Sequence, residues 1–287
     1  MIKKEIFKIF DAHMHTIGIF LPRKMSLIEY MDQFNIEKAI LTTTNKAARP
    51  SDYVDKGEKE EKHEDTNNKM LKAFENYKKT MPKGQLDHQD VISLSKKHPD
   101  RFYKFFWFNP NVSQDQETED YRTLEYHFDN GFYGVKLHPV LHLIKVPRDI
   151  LKLASLLEER GKILFLHSYP KVTFFNGLFT KDIQKLAKSF PNLKIIVGHA
   201  GYAMEYAMEL GMNLKRYENI YFESSCSIPY ALFSLIKAVG HERIVFGSDS
   251  PITNPAQIEI DKILCLPISD EQKQDIFYNN IERFIYK

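Results

Sequence analysis

Residues 162–168 read KILFLHS, and residues 193–199 read LKIIVGH. Each is a short run of Ile, Leu, Val and Phe, apolar at both parities, that ends in or just after a histidine. A strand that is apolar at both parities is covered on both faces, as in a parallel sheet wrapped by helices. Six more runs share this character: IFKIFDAH (6–13), KAILTTT (38–44), FYKFFWF (102–108), FYGVKLH (132–138), NIYFESS (219–225) and RIVFGSD (243–249).

Helical spacing fills the intervals. Ser26 precedes LIEYMDQF with Glu29 three residues on, the pattern of a capping box. Residues 88–97 read as an amphipathic helix that stops near His98-Pro99. Residues 118–129, 148–160, 180–190, 203–217 and 229–239 carry similar spacing, and Gly131, Gly161 and Gly240 stand where C-terminal caps fall. Eight strands alternating with helices predict an α/β fold. In a chain of 287 residues they favour a (β/α)8 TIM barrel over an open doubly wound sheet. No Gly-x-Gly-x-x-Gly or P-loop pattern follows the first strand, so the usual nucleotide-binding folds lose support.

Residues 1–287 therefore read as one barrel domain with one interruption. The segment at about 45–87 separates the second and third strands, is highly charged, and reads as helical from about Glu58. A helical insertion after strand 2 lies on the C-terminal face of a barrel, where active sites are built, so it is expected to act as a lid or binding loop.

Composition excludes several classes. The chain is 43% hydrophobic and 27% charged, an ordinary globular balance. Its 40 basic and 38 acidic residues give a net charge of +2, which argues for neither nucleic acid nor an anionic membrane as partner. The two cysteines, Cys226 and Cys265, form no disulfide or CxxC framework. No signal-peptide core or bilayer-length apolar run is present, so the expected location is the cytoplasm. The expected partner is a small-molecule substrate, and a homodimer stays open.

The chemistry gathers at strand ends. Asp11-Ala12-His13-Met14-His15 closes the first run. Residues two apart in a strand point the same way, so His13 and His15 project together, a geometry suited to one metal ion. His167, His199 and Asp249 each end a later run, at the barrel end that carries catalysis. Imidazole and carboxylate bind Zn²⁺, and Mn²⁺ to a differing degree, and such an ion lowers the pKa of water toward neutrality.

These residues resemble the amidohydrolase superfamily, specifically the amidohydrolase-related family of metal-dependent TIM-barrel hydrolases and decarboxylases. The matching motifs are DAHMH (11–15), GVKLHP (134–139), LFLHS (164–168), VGHAG (197–201) and FGSDSP (246–251), in the family's order and across nearly the whole chain. The resemblance implies one divalent metal ion, Zn²⁺ or Mn²⁺, held by His13, His15, His167 and Asp249. It implies that Asp249 also handles protons and that His199 assists catalysis. Lys136 and His138 share a parity on the fourth strand. In some superfamily members a lysine there is carbamylated between two metals, but a single metal is favoured here, with His138 lining the pocket. Trp107 and Ser225, at or near the ends of their strands, are further candidates for substrate contact, as is Lys136. His142 reads as a loop residue, and His63, His88, His98, His127 and His241 as surface residues.

The leading expectation is hydrolysis of a C–N or C–O bond in a small amide, lactone or ester through metal-activated water. The alternative is non-oxidative decarboxylation of an aromatic or unsaturated carboxylic acid. Phosphoester cleavage is disfavoured, because barrel nucleases of that type carry a glutamate where this chain has Lys136 and His138. A non-catalytic binding barrel is disfavoured by retention of every expected ligand.

Overall fold

The computed structural model describes residues 7–44, 85–110, 114–170 and 178–286. The strands are β1 Ile9–His15, β2 Ile36–Thr42, β3 Phe102–Trp107, β4 Phe132–Leu137, β5 Ile163–His167, β6 Lys194–Gly198, β7 Ile220–Glu223 and β8 Ile244–Val245. Each pairs in parallel with the next in sequence order. The ring closes where β8 and its continuation meet β1. Ala12 N–H donates to Phe246 O, Asp249 N–H to His13 O and His15 N–H to Ser250 O, each at 2.8 Å. The eight-stranded (β/α)8 barrel expected from the runs is the observed fold. The insertion expected at about 45–87 lies outside the described residues except for 85–87.

Among the described residues the main helices between and after the strands are α1 Leu27–Gln33, α2 Gln89–Lys97, α3 Gln114–Asp129, α4 Leu151–Glu159, α5 Thr180–Ser189, α6 Met204–Leu214, α7 Pro229–Val239 and α8 Ala256–Leu264, with a short helix Pro139–His142 after β4 and a helical run Asp270–Tyr286 after α8. The capping box at α1 forms as expected: Ser26 accepts from Glu29 N–H, and Glu29 accepts from Ser26 N–H. The expected terminal glycines take positive φ, 59° at Gly161 and 89° at Gly240, a conformation that costs a residue with a Cβ. The helical spacing of α8 and of the C-terminal run Asp270–Tyr286 escapes a reading focused on strands. No described helix is long and apolar enough to cross a membrane.

Strand parity sorts the core into two regions. Outward residues such as Met14, Leu41, Phe106, Leu164, Leu166, Ile195 and Phe222 pack against the helices. Inward residues Phe10, Ile40, Phe105, Phe165, Ile196 and Val245 fill the barrel axis. Tyr278, Ile281, Phe284 and Ile285 of the C-terminal run join that inner cluster and stopper the N-terminal mouth. The lower barrel is therefore solid and apolar, and the polar chemistry is confined to the C-terminal end.

Candidate metal centre

The same inward parity that places apolar residues low in the barrel places polar ones above them. Ile163 and Phe165 are followed by His167; Tyr103 and Phe105 by Trp107; Gly134 by Lys136 and His138; Tyr221 by Glu223 and Ser225. In β1 the register slips. Three steps from Asp11 to Met14 face two steps from Ala39 to Leu41, so the strand carries a bulge there. The bulge leaves Ala12 inside, sends Met14 outward, and turns His13 onto the Phe165 ring, with centroids 4.6 Å apart. Asp11 staples this kink to β8, because its Oδ1 accepts the backbone N–H of both His13 (2.9 Å) and Ser248 (3.0 Å). That is a structural reason for the aspartate in DAHMH.

Three strand ends carry non-glycine residues in the left-handed region: His199 at φ 58°, Cys226 at φ 55° and Asp249 at φ 52°. Such backbone costs about 1–3 kcal/mol per residue and clusters at functional sites. At His199 it turns inward a side chain that lies one residue past the inward parity of Ile196. The His199 ring stands 5.3 Å from His13 and 4.4 Å from His167.

The expected site residues come together as one buried group. His13, His15, His138, His167, His199 and Asp249 are each no more than 8% exposed. Within it, His13, His199 and Asp249 present donor atoms that all lie within 4.8 Å of one another. His15 stands beside them, its Nε2–H donating to Asp249 Oδ1 at 3.0 Å. His167 stands behind His199, with His167 Nδ1 and His199 Nε2 3.0 Å apart. The compact triad thus includes His199, which the sequence suggests as a catalytic partner, and His167 is one hydrogen bond removed from it.

Burial, with Lys136 as the next contributor at His13 and His138 at His167, holds those two imidazoles well below their ordinary pKa. Burial also lowers His199 and His138, so these rings are neutral with lone pairs to offer. Burial alone would raise Asp249, but His13, His15 and His199 outweigh it and hold the carboxyl below its usual range, ionised. Two neutral imidazoles and a carboxylate are a donor set that Zn²⁺ and Mn²⁺ accept. His15 Nδ1 and His167 Nε2 are buried without hydrogen-bond partners, which fits a site built to meet a cation.

Lys136 is the unusual member. It is 2% exposed, and its Nζ donates to His13 Nε2 at 2.8 Å. Its ammonium also lies 3.7 Å from the centre of the Phe165 ring. Burial pushes its pKa down to about 7 against the pull of Asp249 and Glu223. Asp11 moves the other way. Burial raises its carboxyl to about 8 despite the hydrogen bonds from Ser248 and His13.

Aromatic rings wall one side. Trp107 lies over His138 at 6.0 Å and 21°, and His138 stacks on His167 at 3.6 Å and 19°. Tyr169 meets His167 edge-on at 4.5 Å and lies parallel to His199 at 5.9 Å. Two histidines differ from their sequence reading. His142, read as a loop residue, is 5% exposed and accepts the Trp107 indole N–H at 3.0 Å. His88, read as a surface residue, is 3% exposed, stacks on Phe106 at 3.9 Å and accepts the Trp107 backbone N–H at 2.8 Å. Both fix Trp107 from outside β3. Neither ends an apolar run, so strand-end logic had no hold on them.

The amidohydrolase family profile matches residues 10–285. The chain belongs to the amidohydrolase family. It is therefore an enzyme of a family whose members are metal-dependent hydrolases and decarboxylases. No curated protein matches the chain. Among solved structures, a 2,6-dihydroxybenzoate decarboxylase from Rhizobium is 17% identical with a TM-score of 0.60, over 98% of both chains. A dihydroxybenzoic acid decarboxylase from Polaromonas sp. JS666, with bound manganese and the inhibitor 2-nitroresorcinol, is 17% identical with a TM-score of 0.61. That match covers 98% of this chain and 97% of the other. A probable 2-pyrone-4,6-dicarboxylic acid hydrolase from Acinetobacter baumannii, with bound citric acid, is 13% identical with a TM-score of 0.64, over 98% and 100% of the two chains. At these identities the likeness is one of fold.

Proposed function

We propose that this amidohydrolase-family enzyme is a metal-dependent, non-oxidative decarboxylase of a small hydroxylated aromatic carboxylic acid. The observation that carries the reading is the column of rings Trp107, His138 and His167 beside the His13, His199 and Asp249 donors. Flat stacked rings offer a face to a flat substrate. The aromatic ligands of the decarboxylases with the same fold support the same choice, which is the second of the two reactions expected from the sequence.

His13, His199 and Asp249 would hold one divalent ion, Mn²⁺ or Zn²⁺, with His15 and His167 as further ligands. When bound, the ion supplies positive charge that draws electron density from the carboxylate-bearing ring. The remaining work falls to the chain. Trp107, at the end of the column, holds the ring by its face, and His138 backs it. Lys136, buried and positively charged when protonated, pairs with an anionic oxygen of the substrate. The bond between ring and carboxylate breaks, CO₂ leaves, and the electron pair remains on the ring carbon. Asp249, which accepts the His15 Nε2–H, would take up the proton of a substrate hydroxyl as the acid binds and deliver it to that carbon. The product leaves as its phenolate and takes a proton from water. The buried walls keep bulk water from the carbanion-like centre.

The test uses Mn²⁺- and Zn²⁺-loaded protein with a panel of dihydroxybenzoates and, separately, lactones, esters and amides. The reading expects CO₂ release, one deuterium per product in D₂O, and no oxygen from H₂¹⁸O in the product. Turnover of a lactone or amide with ¹⁸O incorporation and no CO₂ would sink it. That result would favour hydrolysis.

A further inference from the structure

Glu223 ends β7 with no exposed surface, between His13 and His199. Its carboxylate gathers only donors. Oε2 accepts the His199 backbone N–H at 3.1 Å and the Ser225 hydroxyl at 2.9 Å, and lies 3.4 Å from His13 Nδ1. Oε1 accepts the Ser225 backbone N–H. The seat is built for it, since a Cβ at Gly247 would stand 2.1 Å from Oε1.

An ionised carboxylate only accepts and is the strongest acceptor within reach, so the Ser225 hydroxyl gives it its one proton. Ser225 Oγ is then an acceptor, and His199 Nδ1, 2.9 Å away, must carry the N–H. A neutral imidazole has one N–H, so His199 Nε2 is a lone pair. His167 Nδ1, 3.0 Å from it, must donate, which leaves His167 Nε2 as a lone pair. That atom is buried and has no hydrogen-bond partner. On the other side, His13 Nδ1–H faces Glu223, and His13 Nε2 accepts from Lys136 at 2.8 Å.

We infer that Glu223 is a positioning residue which, directly and through Ser225, fixes His13, His199 and His167 as Nδ1–H tautomers, so that a divalent cation would meet the free lone pair of His167 Nε2 and replace Lys136 at His13 Nε2 and the His167 N–H at His199 Nε2. The inference rests on the metal-centre reading above. Hydrogen-bonding partners behind metal-ligating histidines set ring orientation and tautomer, and their loss costs roughly 10- to 100-fold in metal affinity.

The experiment compares metal-free wild type, Glu223→Gln and Ser225→Ala, each labelled with ¹⁵N-histidine. Imidazole ¹⁵N shifts report the tautomers, and calorimetric titration with Mn²⁺ reports affinity. We expect three Nδ1–H rings in the wild type. Glu223→Gln should keep its fold by circular dichroism and bind Mn²⁺ roughly 10- to 100-fold more weakly. Ser225→Ala should disturb His199 and His167 more than His13, because Ser225 Oγ stands 2.9 Å from His199 Nδ1 but 3.4 Å from His13 Nδ1, which keeps Glu223 as a partner. Wild-type Mn²⁺ affinity in Glu223→Gln, or Nε2–H rings in the wild type, would overturn the inference. If Glu223→Gln does not fold, Ser225→Ala decides, and unchanged His199 and His167 shifts overturn it. If the wild type binds no Mn²⁺ yet shows the three tautomers and loses them in the variants, Glu223 keeps its role and only the metal reading falls.

Discussion

Replacing Gly247 with alanine should strike Glu223 and little else. The added Cβ would lie 2.1 Å from Glu223 Oε1, 2.5 Å from Cδ and 2.7 Å from Cγ. Cβ contacts essentially never fall below 3.0 Å, so the carboxylate must retreat by about 0.9 Å. A shift of that size breaks hydrogen bonds that now measure 2.9 and 3.1 Å from Ser225 Oγ and His199 N. Each bond to a charged group contributes about 1.5–3 kcal/mol, and overpacking adds about 1–3 kcal/mol. Allowing for partial relaxation, we expect a loss of about 3–5 kcal/mol. A domain with roughly 5–15 kcal/mol of stability tolerates that and still folds. The assay is urea unfolding of metal-free protein, followed by the fluorescence of the single tryptophan, Trp107. The decisive comparison is a double-mutant cycle. In a Glu223→Ala background the new methyl meets space, so Gly247→Ala should cost less than about 1 kcal/mol, a coupling of at least about 2–4 kcal/mol. Equal costs in the two backgrounds would refute the argument that the glycine exists to seat Glu223.

Lys136→Met should abolish turnover, by about 100-fold or more, while leaving the fold intact or firmer, because a buried ammonium is costly and a methionine is not. Its folded pKa of about 7 lies below the ordinary 10.5, so the penalty is complete below about pH 7 and fades as pH rises toward 10.5. The gain in melting temperature should therefore be largest at neutral and acid pH. Asp11 has the opposite sign. Raised from 3.8 to about 8, it contributes stability that is full below about pH 4 and lost as pH rises through 8. Asp11→Asn, followed by urea unfolding of metal-free protein across that window, should flatten this part of the profile, and an unchanged slope would count against it. Trp107→Ala should raise KM for an aromatic acid by about 2- to 10-fold, the worth of one stacked ring pair, with a smaller effect on kcat. A larger fall in kcat than in substrate affinity would place Trp107 in the chemistry instead.

Strand-end logic made much of the site legible. Lys136, His138, His167 and Ser225 follow from parity along an inward-facing strand, and His13 and His15 share a face with each other, since residues two apart do so; that this face turns inward depends on the β1 bulge. The bulge in β1 was not legible, because it is a mismatch between two strands and no single strand encodes it. Nor were the seats of His88 and His142, which depend on α2 and on the short helix Pro139–His142 packing behind Trp107. Glu223 stood in plain view in NIYFESS, a carboxylate two residues past inward Tyr221, yet a buried acid at that parity reads equally as an ion-pair partner until its donors are known.

By itself, the sequence determined the barrel, its strand order and the identity of the groups at its mouth, because hydrophobic periodicity and residue type are local properties. Only the tertiary structure decided which of those groups converge. The compact set is His13, His199 and Asp249, and it exists because the end of β8 closes onto β1 and a left-handed turn swings His199 inward. Convergence is a distance between residues far apart in the chain. It is set by closure of the sheet and by backbone turns that parity does not contain.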